Sequence, residues 1–101
     1  MKQLLPIENN TLDIKITQLN ANLDQQWTIV KGKLHKEFIF KNFIEAFAFM
    51  SKIAIIAESQ NHHPELFNCY NRVTIDLMTH EIDGLSEKDF KLASTIEEQY
   101  E

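Results

Sequence analysis

The chain has 101 residues, 44% of them hydrophobic, and a net charge of −5, which predicts one globular domain over residues 1–101. The acidic balance argues against direct nucleic-acid binding, which needs clustered Lys and Arg. The longest apolar run, 53–57, is too short to cross a bilayer. One cysteine excludes an intramolecular disulfide and, with no export signal at the N-terminus, predicts a cytoplasmic protein.

Hydrophobic spacing predicts a helix and a hairpin after an irregular arm over residues 1–10. The helix has an apolar face with intervals of four, three and four, at Leu12, Ile16, Leu19 and Leu23. Asn10 or Thr11 is expected to cap it. After Trp27, a turn at 31–32 and alternating residues predict a β-hairpin with an inner face of Leu34, Lys36, Phe38 and Phe40.

A long helix is predicted from Asn42, a suitable N-cap with Glu45 three residues on, to about Gln60. One apolar stripe comprises Phe43, Phe47, Met50, Ala54 and Ala57, with Ile53 beside it. A second comprises Ile44, Ala48 and Ile55. Two stripes need two covering surfaces. We expect one to be the sheet, and the other to be a second subunit or deeper burial.

Two strands and a last helix complete the predicted pattern. Alternation indicates strands at 65–70 and 72–79, and a turn at 83–84 follows. Ser86 and Asp89 form a capping box for a helix with apolar residues at Phe90, Ala93, Ile96 and Tyr100. The order α-β-β-α-β-β-α favours an α+β two-layer sandwich, with a four-stranded antiparallel sheet and three helices on one face.

Three of the four histidines lie in two short polar segments, Asn61-His62-His63-Pro64-Glu65 and Thr79-His80-Glu81. Histidine exchanges protons near neutral pH, so these segments suggest acid–base chemistry. Pro64 favours extended backbone before it, which turns His62 and His63 to opposite sides. His80 follows a predicted strand, where functional groups are often presented.

Each candidate also has an ordinary structural interpretation. A single histidine is usually a surface or capping residue, Asp89 is a helix cap, and Glu58 is an exposed helix residue. Metal binding by the histidines is a weaker hypothesis, since no pair is spaced i, i+4 on a helix and there is no cysteine pair.

The sequence resembles the pterin-4a-carbinolamine dehydratases, whose best-known member is also a dimerisation cofactor of a homeodomain transcription factor. The strong resemblance runs from Phe38 to Ile96. It is carried by Phe40, Phe43-x-x-Ala46-x-x-Phe49, Ala57-Glu58, Asn61-His62-His63-Pro64-Glu65, Tyr70-Asn71-x-Val73, Leu77-x-Thr79-His80, Gly84-Leu85-Ser86-x-x-Asp89 and Leu92-Ala93.

This resemblance implies dehydration of 4a-hydroxytetrahydropterin to quinonoid dihydropterin (EC 4.2.1.96), which recycles the cofactor of aromatic amino-acid hydroxylases. It implies no metal and no organic cofactor. His62 and His80 would be the acid–base pair, and His63 would bind substrate and share in proton transfer. Pro64 would shape the cleft wall and Asp89 would orient a histidine. Glu58 and Thr79 would support the site.

The resemblance also implies a homodimer or homotetramer and leaves an alternative function open. In that alternative the chain is a protein-binding module for a transcription factor or a hydroxylase. Two positions depart from the family pattern. Leu66 stands where many relatives have Trp, which removes an aromatic wall. Lys88 stands where Arg is common, which removes a planar guanidinium.

Overall fold

The computed structural model describes residues 5–100. The elements are α1 (Asn9–Asn20), β1 (Thr28–Val30), β2 (Lys33–Ile39), α2 (Phe43–Gln60), β3 (Glu65–Cys69), β4 (Arg72–Leu77), a 3₁₀ turn (His80–Ile82) and α3 (Glu87–Tyr100). The predicted order α-β-β-α-β-β-α is confirmed, although the 3₁₀ turn was not predicted. Residues 1–4 of the predicted N-terminal arm lie outside the described residues. No helix within residues 5–100 could span a membrane.

The four strands form an antiparallel sheet in the order β1-β2-β4-β3. In the central pair, Leu34 lies opposite Leu77. Because strand side chains alternate, every second residue faces the helices. The buried inner face is Leu34, Lys36, Phe38, Val73, Ile75 and Leu77, as the alternation predicts. The three helices cover this face and leave the other face of the sheet open.

Lys36 is the unusual member of the inner face, because its charge is buried. Its Nζ donates to Glu97 Oε2 on α3 and to the Gln25 carbonyl oxygen at 2.7 Å. The same Nζ lies 4.7 Å from the centroid of the Phe38 ring. Trp27 Nε1 also donates to Glu97, at 2.8 Å. A buried charge is tolerated when it is paired and hydrogen-bonded in this way, so the cluster ties β2 to the end of α3.

Helix α2 begins as predicted, but its buried face coincides with neither of the two predicted apolar stripes. Asn42 Oδ1 accepts the Glu45 backbone N–H at 2.9 Å. The core residues of α2 are Ala46, Phe49, Ile53 and Ala57, so neither predicted stripe packs on the sheet as a unit, and Phe43, Phe47 and Ala54 of the first stripe lie outside the core. Those three are exposed. The helix is apolar around most of its circumference, and several stripes therefore fit the 3.6-residue period equally well.

Two predicted boundaries also shift. Helix α1 begins at Asn9 with Glu8 at its N-cap, and no side chain caps it. The caps predicted at Asn10 or Thr11 were therefore wrong; Asn10 Oδ1 instead accepts the Thr11 backbone N–H at 2.9 Å. Strand β3 ends at Cys69 because Tyr70 takes a left-handed turn conformation, φ 53°. Sequence periodicity does not locate such ends to the residue.

Replacing Ile53 by Ala tests the observed packing of α2. Ile53 is completely buried, so we expect a loss of about 2–5 kcal/mol in the free energy of unfolding, because a cavity remains. Urea denaturation measures it. Ile14→Ala, on the exposed side of α1, is the matched control and should change stability by about 0.5 kcal/mol or less. Equal effects of the two substitutions would contradict this packing.

Candidate functional site

The C-terminus of α2 fixes the backbone of His62. Asn61 adopts the left-handed conformation, φ 52° and ψ 44°, which Asn tolerates better than most residues with a Cβ. The Asn61 N–H donates to the Glu58 carbonyl at 3.1 Å, and the His62 N–H donates to the Ala57 carbonyl at 3.0 Å. These two bonds form a Schellman motif. His62 is thus held directly against the helix end rather than on a free loop.

The His62 side chain contacts a completely buried carboxylate. His62 Nε2 lies 2.6 Å from Asp89 Oδ1. Asp89 has 0% exposure and His62 has 8%. Asp89 Oδ2 accepts the Thr79 hydroxyl at 2.8 Å and the Ser86 backbone N–H at 3.0 Å. The carboxylate therefore joins the end of α2, the segment after β4 and the beginning of α3.

His63 belongs to a different, exposed pair. Its Nε2 lies 2.7 Å from Glu58 Oε1, and the two side chains are 60% and 80% exposed. A hydrogen-bonded contact this open to water adds little stability. The contact instead orients the His63 ring, because Glu58 on the last turns of α2 binds one of its nitrogens. Pro64, half-buried, follows and leads into β3.

His80 lies at the same end of the sheet. It follows Thr79, opens the 3₁₀ turn, and is exposed. The turn closes at Asp83, which has φ 49°, and Thr79 pairs with Gly84. Strands β3 and β4 are antiparallel with Glu65 opposite Asp76. Because the chain enters β3 where it leaves β4, residues 62–64 and 78–80 share one edge of the sheet.

The predicted site residues thus form two hydrogen-bonded groups and one neighbouring histidine. His62, Asp89 and Thr79 are joined directly, His63 pairs with Glu58, and His80 adjoins Thr79 along the chain. A cavity of about 560 Å³, lined by Lys36, Glu97 and Tyr100 among others, lies elsewhere. A groove of about 490 Å³ reaches the site only at Glu58. Within residues 5–100, no group of three or more His, Cys, Asp or Glu side chains could hold a metal ion.

Ser86 is a site residue that sequence reasoning assigned only to helix capping. Its hydroxyl lies 2.7 Å from Thr79 Oγ1 and accepts the Lys88 N–H at 3.2 Å. Its backbone N–H binds Asp89, which completes the predicted capping box. The signal was present in the Ser-x-x-Asp spacing. What the spacing does not reveal is that the second oxygen of the capping carboxylate reaches His62.

A family model agrees with this arrangement over most of the chain. Residues 10–99 match the model of the pterin 4 alpha carbinolamine dehydratases. The chain belongs to this family. It is accordingly a member of the dehydratases of class EC 4.2.1.96, as the resemblance implied.

Individual relatives support the same assignment. The chain is 46% identical over 82 residues to the pterin-4-alpha-carbinolamine dehydratase of Drosophila melanogaster, covering 79% of this chain and 43% of the fly protein. It is 49% identical over 92 residues to a protein assigned to the same dehydratases in Prochlorococcus marinus, covering 90% and 95% of the two chains. The crystal structure of a Brucella melitensis protein, titled transcriptional coactivator/pterin dehydratase, superposes with a TM-score of 0.82 at 34% identity. That match covers 96% of this chain and 100% of the other.

Replacing Asp89 by Ala tests the buried network. The substitution leaves the Thr79 hydroxyl, the Ser86 N–H and His62 Nε2 without their acceptor, so we expect a loss of about 3 kcal/mol in the free energy of unfolding. Glu58→Ala removes an exposed carboxylate that also binds a histidine, and should cost about 1 kcal/mol or less. Denaturant unfolding compares them. A smaller loss for Asp89→Ala than for Glu58→Ala would contradict the network.

Proposed function

We propose that this chain removes water from 4a-hydroxytetrahydropterin and yields quinonoid dihydropterin, with histidines as acid and base. The observation that carries the proposal is the buried His62–Asp89 pair, which lies at the same edge of the sheet as the exposed His63 and His80. Family membership names the reaction class. The buried pair supplies an imidazole of fixed orientation, which proton transfer in a defined direction requires.

The reaction needs one acid and one base. The C4a–O bond breaks as a protonated imidazole gives its proton to the departing hydroxyl, which leaves as water. The N5–H proton passes to a neutral imidazole, and the N5 electron pair forms the C4a=N5 double bond. His62 and His80 are the proposed pair for these transfers. After one turnover the two imidazoles have exchanged protonation states, and proton exchange with water restores the starting state. Loss of water leaves the oxidation level of the pterin unchanged, so the step needs no redox partner.

The remaining residues have proposed supporting roles. His63 contacts the substrate and shares in proton transfer, and Glu58 holds its ring through the 2.7 Å contact. Pro64 forms part of the cleft wall, and Asp89 with Thr79 orients His62. The product would return to the hydroxylase cofactor pool after reduction. We place the activity in the cytoplasm, where an exposed thiol such as Cys69 stays reduced.

Single histidine variants test the catalytic proposal. His63→Ala and His80→Ala should each lower the rate of 4a-hydroxytetrahydropterin decay by about 100-fold or more, because each removes a proton-transfer or binding group. The assay follows formation of the quinonoid product by absorbance. The chain offers a matched control in His35→Ala. His35 binds Asp76 on the open face of the sheet, and its loss should leave the rate unchanged. Wild-type rates equal to buffer alone would reject the proposal.

A second proposal concerns the outward side of α2, here called the α2 outer face and made up of Phe43, Ile44, Phe47 and Ile55. These side chains are 47%, 77%, 53% and 72% exposed. Large apolar residues clustered on a surface mark a site of protein association. We propose that a second copy of this chain covers the face in a homodimer or homotetramer. A hydroxylase or transcription factor is the alternative occupant, in line with the coactivator title of the Brucella protein.

Charged substitutions on the α2 outer face test this association. Ile44→Glu combined with Ile55→Glu should lower the molar mass in light scattering to that of one chain, because two carboxylates cannot be buried without partners. Lys91→Glu, on the exposed side of α3, changes net charge equally and should leave the assembly intact. A wild-type mass of one chain, or an unchanged mass in the double variant, would reject the self-association.

A further inference from the structure

The hydrogen bonds around Asp89 determine which atom is the donor and which is the acceptor in each contact of the network. Ser86 N–H can only donate, and Thr79 has one hydroxyl hydrogen, which goes to Asp89 Oδ2 at 2.8 Å. Ser86 Oγ receives the Lys88 N–H at 3.2 Å. At the 2.7 Å contact between the two hydroxyls, the hydrogen therefore comes from Ser86. Each donor in this chain of bonds points toward the carboxylate.

This direction determines the tautomer of His62. Two donors at Oδ2 stabilise the ionised carboxylate, which then offers only lone pairs at Oδ1. The ring nitrogen that faces Oδ1 at 2.6 Å is Nε2, and it must carry the hydrogen. A neutral His62 consequently has its lone pair on Nδ1. The alternative tautomer would place two lone pairs against each other in a buried site.

The second nitrogen of His62 is open to the surface. Within residues 5–100, no buried side-chain nitrogen or oxygen atom lacks a hydrogen-bond partner. Among these described residues Nδ1 has no such partner, so the small exposed part of this 8% exposed residue includes Nδ1. The Schellman bond from the His62 N–H to Ala57 at 3.0 Å fixes the backbone beneath the ring.

We propose that Nδ1 is the atom of His62 that exchanges a proton with the substrate, and that Ser86 and Thr79 are positioning residues acting through Asp89. The inference rests on the proposed function, because Nδ1 gains a catalytic role only if His62 works on the pterin. The tautomer itself is a property of the free protein. The two can therefore be tested separately.

Nitrogen-15 NMR of the imidazole side chains tests the tautomer without any substrate. In wild-type protein, at a pH where His62 is neutral, we expect hydrogen on Nε2 and a lone pair on Nδ1. The His62 resonances are assigned by comparison with His62→Gln. Hydrogen on Nδ1 in the wild type would overturn the inference, whether or not the protein has dehydratase activity.

The Asp89→Asn variant tests whether reversing the hydrogen bond to His62 reverses its tautomer. Thr79 and Ser86 need an acceptor, so the amide oxygen takes the Oδ2 position and the amide NH₂ faces His62. We expect NMR to show the opposite tautomer, with hydrogen on Nδ1, and kcat to fall by about 100-fold or more with a smaller change in KM. An inverted tautomer with wild-type kcat would overturn the inference while leaving the proposed function intact.

Ser86 variants separate positioning from capping and remain available if Asp89→Asn does not fold. Ser86→Thr keeps the hydroxyl and the cap and should retain the wild-type tautomer and kcat. Ser86→Gly keeps a residue type that is accepted at the N-cap but has no side chain to donate to Thr79. It should lower kcat by about 10-fold, shift the pH profile of kcat, and leave KM nearly unchanged. A wild-type pH profile and kcat in folded Ser86→Gly would overturn the role of Ser86.

Discussion

The burial of the Asp89 carboxylate is the constraint on which the site depends. A charge with no exposure is costly unless donors surround it, and here they come from three separate segments: His62 after α2, Thr79 after β4, and Ser86 before α3. The carboxylate can be satisfied only when all three segments are in place. A buried ionic group of this kind is weak evidence for stability. Its clearer effect is to make the position of His62 a consequence of the fold.

The ends of two helices place His62 and Asp89 next to each other. Asn61 ends α2 in a left-handed turn, and Ser86 begins α3 as a cap. Both are short-range features, so Asn61 fixes the backbone direction of His62 and Ser86 fixes the position of Asp89 through contacts close in sequence. The histidine at the first helix end then meets the capping carboxylate at the second. A side chain held by a helix terminus and packed strands needs no enclosing cavity to be oriented, because its own backbone is already fixed.

The parts that sequence predicted well are those decided within a few residues. Strand alternation, the Asn42 cap and the Ser86–Asp89 box each depend on neighbours along the chain, and the structure contains all three. The sequence did not identify the buried side of α2, since a helix that is apolar around most of its circumference gives no preferred face until a sheet packs on it. The pairing of Lys36 with Glu97 joins positions 61 residues apart. The sequence likewise could not show that Asp89 both caps α3 and binds His62, because the second contact joins residues 27 positions apart.

The α2 outer face and the proposed catalytic site adjoin each other near the C-terminal end of α2. The α2 outer face runs along the helix to Ile55, and Glu58 follows one turn later. A groove of about 490 Å³ is lined by Ala54, Ile55, Glu58 and Ser59. Glu58 also binds His63. Any chain that covers the α2 outer face up to Ile55 therefore lies beside the residue that orients His63. Association would remove water from Glu58 and strengthen its hydrogen bond to the imidazole, since a hydrogen bond is stronger where the local dielectric is lower. The proposed assembly and the proposed acid–base chemistry would thus be coupled through a single carboxylate, while His62 would be independent of assembly because Asp89 is already buried within one chain.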